Sequence, residues 1–103
     1  MSKRLEMLEK MIEKGTDDPF VRYARALELR SAGRLDETMA AFEDVRTRHP
    51  DYVPTYLMAG QVAIELERDA DARAWLEQGL ERAQAAGDEH ARSELQQALD
   101  GLD

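Results

Sequence analysis

Residues 19–52 read PFVRYARALELRSAGRLDETMAAFEDVRTRHPDY, and the next 34, residues 53–86, read VPTYLMAGQVAIELERDADARAWLEQGLERAQAA. Laid over one another, the two stretches agree in kind more than in letter. Tyr23 falls on Leu57, Ala26 on Gly60, Leu29 on Ala63, Phe42 on Leu76 and Glu43 on Glu77. The register also runs backwards, with Leu8, Glu9 and Met11 falling on Phe42, Glu43 and Val45. An offset that holds at several positions marks a repeated supersecondary unit, which buries its apolar face only by stacking on a neighbour. Ala26, Gly60 and Ala72 are small enough to let helices approach closely. Phe42 and Leu76 are expected to fill the space between units.

Punctuation divides the repeat into helices. Leu5, Leu8, Met11 and Ile12 recur at helical spacing over 2–14, and Gly15 suits the left-handed cap that ends such a helix. Asp18 before Pro19 is a start signal, since the carboxylate accepts from free N–H groups and Pro lacks one where none is needed. The second helix is expected over about 19–32, ended by Gly33. The third spans 35–48, halted by Pro50. Asp51 and Pro54 open a fourth, to about residue 67. Asp69 is expected to cap a fifth that ends at Gly87, and Asp88 to cap a sixth, to about residue 102. Connections this short force neighbouring helices to run antiparallel.

Composition agrees. Ala, Glu, Lys, Leu and Arg make up 53 of the 103 residues, whereas Val, Ile and Thr total 10. Such a chain favours helix over sheet. With no cysteine there is neither a disulfide framework nor a thiolate metal site. No apolar run approaches the length that crosses a bilayer, and the acidic N-terminal stretch is unlike a signal peptide, so the expected address is cytoplasmic. A net charge of −8 disfavours nucleic acid and anionic membranes as partners. Eleven arginines against three lysines fit a GC-rich bacterial source.

A 34-residue period of two helices, with these small and aromatic positions, resembles the tetratricopeptide repeat family. The resemblance implies an all-α, right-handed α-solenoid of antiparallel helix pairs, about six helices in one domain over 1–103. Residues 19–52 and 53–86 would be whole repeats. Residues 2–14 and 88–102 would be half-repeats that cap the stack, with Glu6, Glu9, Glu13, Glu94, Gln96 and Asp100 turned to water, so the chain reads as a complete small solenoid. Departures are specific. Arg22 and Arg25 stand where the family places bulky apolar groups, Thr38 replaces the second-helix Ala, Glu67 replaces the turn glycine and Gln84 replaces the closing Pro.

No catalytic constellation is legible. His49 and His90 lie 41 positions apart without a nucleophile or a spaced second ligand, and both read as polar surface residues. There is no His-Glu-x-x-His, phosphate loop or nucleophile elbow. Asp69 and Asp71 alternate as in a calcium loop, but Ala and Trp occupy the later ligand places, so helix capping is the better account. The chain is therefore expected to be no enzyme, with no metal and no cofactor. The arginines at 22, 25, 30, 34, 46 and 48 form a cluster that could bind acidic motifs bidentately, but pairing within their helices with Glu28, Glu43 and Asp44 is the better account.

The resemblance also implies a binding groove lined by the first helix of each repeat. The matching residues are Phe20, Tyr23, Ala24, Leu27 and Arg30, and Leu57, Met58, Gln61, Ile64 and Glu65. Tyr23 and Leu27 stand where the family's carboxylate clamp uses Lys and Asn, so that specificity is not implied. Phe20, Tyr23, Ala24, Leu27 and Ser31 form one apolar stripe, which either receives a partner or lies under the first helix through Met7 and Met11. The expected function is an adaptor that binds a protein or peptide. The alternative is a self-assembling unit, such as a homodimer.

Overall fold

The computed structural model describes residues 2–103, so residue 1 of the expected domain lies outside it. The described chain is all-α: α1 (Lys3–Glu13), α2 (Pro19–Ser31), α3 (Leu35–Arg48), α4 (Pro54–Glu65), α5 (Asp69–Ala86) and α6 (Glu89–Asp100). It divides into two compact units, one ending at Tyr52 and the other beginning at Val53.

The turns that follow α1, α2, α4 and α5 share one hydrogen-bond pattern. After α2, the Gly33 N–H donates to the Arg30 carbonyl at 2.9 Å and the Arg34 N–H to the Leu29 carbonyl at 3.0 Å. After α4, 34 residues on, Glu67 donates to Ile64 at 2.9 Å and Arg68 to Ala63 at 2.8 Å. This arrangement satisfies orphan carbonyls at a helix end but needs one residue in left-handed backbone. Gly15, Gly33 and Gly87 supply it with φ of 90°, 75° and 68°, and Glu67 adopts it at 59° without glycine's freedom. Pro50 lies two residues beyond the end of α3. Gln84 sits at the corresponding place in α5, which runs on to Ala86.

Three of the starts are capped by side chains, Asp18 and Asp88 as expected and Ser2 in addition. Ser2 accepts from the Leu5 N–H at 3.2 Å, Asp18 from Phe20 at 2.9 Å and Asp88 from Ala91 at 3.0 Å. Asp69 does not cap α5. Arg68 holds the cap position without a side-chain bond, and Asp69 and Asp71 lie in the first turn, where carboxylates favour the helix dipole. In α4 the cap position falls on Val53, and Pro54 takes the first place of the helix, as expected.

In the first unit, α2 packs on α1 and α3. Ion pairs show the antiparallel register. Arg4 at the start of α1 meets Glu28 near the end of α2, and Glu9, further along α1, meets Arg25, further back in α2. Leu8 packs with Val21 and Ala24, and Ile12 joins them from the edge. In the second unit, α5 packs on α4 and α6. Close approach there depends on glycine. A Cβ on Gly60 would come within 2.5 Å of Leu76 Cδ2, and one on Gly79 would collide with the Tyr56 Cβ. Phe42, Leu76, Tyr56 and Leu95 are at most 1% exposed.

Candidate interaction faces

On α2, Phe20, Tyr23, Leu27 and Arg30 share one side of the helix, but they are not equivalent. Phe20 is 50% exposed, whereas Tyr23, Leu27 and Arg30 are half-buried. Tyr23 is held by two rings, Phe42 at 6.2 Å and Tyr52 edge-on at 5.5 Å. Burial first, then the neighbouring Tyr52, pushes the Tyr23 hydroxyl pKa up, against a lowering by Arg30. Burial also raises Tyr52, helped by the Asp18 charge. Tyr52 was not among the expected site residues, and its proximity to Tyr23 carries no spacing signal.

The stripe expected on α2 is divided. Ala24 is 2% exposed, packed with Leu8 and Val21, while Phe20 and Ser31 face water. Helix α1 does cover part of it, but not through the expected residues. Leu5, Leu8 and Ile12 form the inward side, and Met7 and Met11 are 61% and 41% exposed. Polar contacts hold α1 in this rotation: Ser2 donates to Glu28 at 3.2 Å, and Glu28 and Glu9 pair with Arg4 and Arg25.

On α4, Leu57, Met58 and Gln61 are half-buried, Glu65 is exposed and Ile64 is 38% exposed. All five lie along one stripe of the helix. They belong to the second compact unit, the α2 residues to the first.

The arginines are paired across helices as well as within them. Arg22 Nη1 donates to Asp44 Oδ2 at 2.7 Å and ties α2 to α3, while Arg48 Nε donates to Asp44 Oδ1 at 3.1 Å within α3. Burial pushes the Asp44 carboxyl up, but hydrogen bonds from Arg48 and Arg22 outweigh it and hold the pKa below 3.8. The departures at Arg22 and Arg25 thus replace apolar contacts by interhelical ion pairs. Thr38, the third departure, is fully buried, with its hydroxyl donating to the Arg34 carbonyl at 2.8 Å.

His90 is exposed, 2.9 Å from Glu94. His49 departs from expectation: its side chain is 21% exposed, and Nε2 is buried 3.5 Å from Asp17 without a hydrogen bond. The short return after α3 folds its ring inward beside Pro19, Pro50 and Tyr52. Among the described residues, no group of three His, Asp or Glu side chains is placed to hold a metal ion. No helix there is long and apolar enough to cross a membrane.

Comparison with known proteins places these helices in a family. The tetratricopeptide repeat family matches residues 29–99, from within α2 to within α6. The chain belongs to the tetratricopeptide repeat family. This tetratricopeptide repeat chain is 38% identical to a tetratricopeptide repeat domain protein from Salinibacter ruber in its crystal structure. The TM-score is 0.77, over 82% of this chain and 94% of that one. A solution NMR structure of a tetratricopeptide repeat domain protein from the same organism gives 37% identity and a TM-score of 0.80, over 84% and 87%. The solution structure of a Bordetella parapertussis protein is 27% identical with a TM-score of 0.84, over 99% of this chain and 89% of that one. No curated protein matches the chain. Tetratricopeptide repeat domains are in general protein-interaction modules and non-enzymatic scaffolds.

Proposed function

We propose that this tetratricopeptide repeat chain is a cytoplasmic adaptor. It would bind a peptide or helix of a partner on the faces of α2 and α4, its first helices of repeats 19–52 and 53–86. Helices α1 and α6 are then terminal half-repeats. The observation that carries the reading is the exposure of large apolar side chains on both faces, Phe20 at 50% and Ile64 at 38%. On α2, Tyr23 and Leu27 are half-buried on the same side as Phe20, with Arg30 beside them; on α4, Leu57 and Met58 are half-buried on the same side as Ile64, with Gln61 and Glu65 beside them. On each face the apolar side chains would supply affinity and the polar ones register. Met58 adds a flexible, polarisable contact.

The test is affinity capture by the wild-type chain beside a Phe20→Ser/Ile64→Ser variant, with partners identified by mass spectrometry. These two residues are better probes than Tyr23, whose truncation would also remove ring contacts to Phe42 and Tyr52. A partner retained by the wild type and lost by the folded variant supports the reading. Equal retention, or no partner beside a concentration-dependent oligomer in light scattering, refutes it.

A further inference from the structure

Helix α1 carries a surface that the packing of the first unit does not use. All three lysines of the chain, Lys3, Lys10 and Lys14, fall within twelve residues, and the other eleven basic residues are arginines. At 3.6 residues per turn, these lysines share a stripe about 100° wide with Met7 and Met11. Leu5, Leu8 and Ile12 occupy the inward side. Met7 and Met11, one turn apart, form an exposed apolar ridge. The lysines are exposed and form no ion pair among the described residues, although Glu6 and Glu13 stand one turn from Lys10. In contrast, Arg4, Arg22, Arg25, Arg34 and Arg48 are all engaged with carboxylates.

A helix that only capped the stack would need a polar outer side, and methionine exposed to 61% does not supply one. We propose that the lysine–methionine face of α1 is a docking surface for an acidic amphipathic helix of another protein. Charge complementarity selects that occupant. Three unpaired ammonium groups around an apolar ridge match a helix with apolar residues one turn apart and Asp or Glu beside them. An α1 of 11 residues is about 16 Å long, so roughly three turns of partner would cover it. A second copy lacks the complementary surface. Its α1 would oppose lysine to lysine, and its acidic second unit exposes Ile64 as its one large apolar side chain among the described residues.

The test uses the full chain and a fluorescein-labelled synthetic helix with two leucines one turn apart flanked by glutamates, beside a control with those glutamates changed to lysine. Amide shifts in ¹⁵N NMR are expected to move over residues 3–14, and anisotropy to report binding of the acidic peptide alone. Lys3→Gln/Lys10→Gln/Lys14→Gln and, separately, Met7→Ser/Met11→Ser are each expected to weaken binding about tenfold or more, with helicity unchanged by circular dichroism. Four results would overturn the proposal: unchanged affinity in both variants, shifts centred on α2 or α4, equal binding of the lysine peptide, or tighter binding of phosphatidylserine vesicles. Light scattering that shows a dimer broken by the methionine variant would overturn it as well.

Discussion

Glu67 occupies left-handed backbone that an L-residue with a Cβ reaches at a cost of about 1 kcal/mol or more. Its repeat counterpart, Gly33, makes the same turn without that cost. Glu67→Gly is therefore expected to stabilise the protein by about 0.5–1 kcal/mol after glycine's greater unfolded-state entropy is subtracted. In urea unfolding the midpoint should rise with the slope unchanged, and a lower midpoint would refute the account. Two buried threonines make a complementary pair. Thr38 satisfies its hydroxyl on the Arg34 carbonyl, whereas Thr55 is equally buried with no hydrogen-bond partner for its Oγ1. Thr55→Val keeps the shape and removes an unsatisfied group, so it is expected to be neutral or stabilising by about 1 kcal/mol, while Thr38→Val should be the costlier change. Thermal unfolding of both variants checks the order. The need for a left-handed residue at 67 was legible in the sequence, because the 34-residue register lays it on a glycine. The difference between the threonines was not, because it depends on which carbonyl each hydroxyl meets.

Between helices, Asp44 is the joint of α2 and α3, accepting from Arg22 on one and Arg48 on the other. Its pKa is lower in the folded chain than its ordinary 3.8, so folding favours the carboxylate. The stabilisation is fully present above the unfolded value and is lost as pH falls through the lower folded value. Asp44→Asn lacks it at every pH. The variant is expected to be less stable than wild type near pH 7 by about 1 kcal/mol, since the carboxylate is partly exposed, and the gap should close towards pH 3. Urea titrations across that range check it, and a gap independent of pH would mean that Asp44 acts by packing alone. Helix number and bounds were legible from Pro, Gly and apolar spacing. The rotation of α1 was less so. Met11 and Ile12 both fit the apolar pattern, and the polar contacts of Ser2, Arg4 and Glu9 to α2 settle which one faces inward.

At the scale of the whole molecule, charge is divided between the units. Residues 1–52 hold 11 acidic and 10 basic side chains, a net of −1, and residues 53–103 hold 11 and 4, a net of −7. The 34-residue register made the repeat readable, but which helix faces stay exposed was readable only in part. Periodicity assigns a residue to a side of a helix, and the packing of neighbours then decides whether that side is covered, as Ala24 is and Phe20 is not. The charge division has a consequence for stability. Ion pairs of the second unit such as Arg73 with Asp103 at 2.6 Å and Arg92 with Glu89 at 3.0 Å are partly exposed, and such pairs contribute at most about 1 kcal/mol each. Against them stand seven excess negative charges held close together, which repel one another more in the compact state than in the expanded chain. Salt screens both, but repulsion among many charges acts over longer distances than contact pairs do. The Debye length falls from about 20 Å near 20 mM to roughly 4 Å near 0.5 M, so the longer-range repulsion is lost first. The Tm at pH 7 is therefore expected to rise as sodium chloride is raised over that interval. Replacing Glu77 and Glu81, both exposed on α5, by glutamine should raise the Tm at low salt and shrink the salt effect. Scanning calorimetry of the two proteins at both salt concentrations checks this, and a Tm that falls with salt would show that the ion pairs outweigh the repulsion.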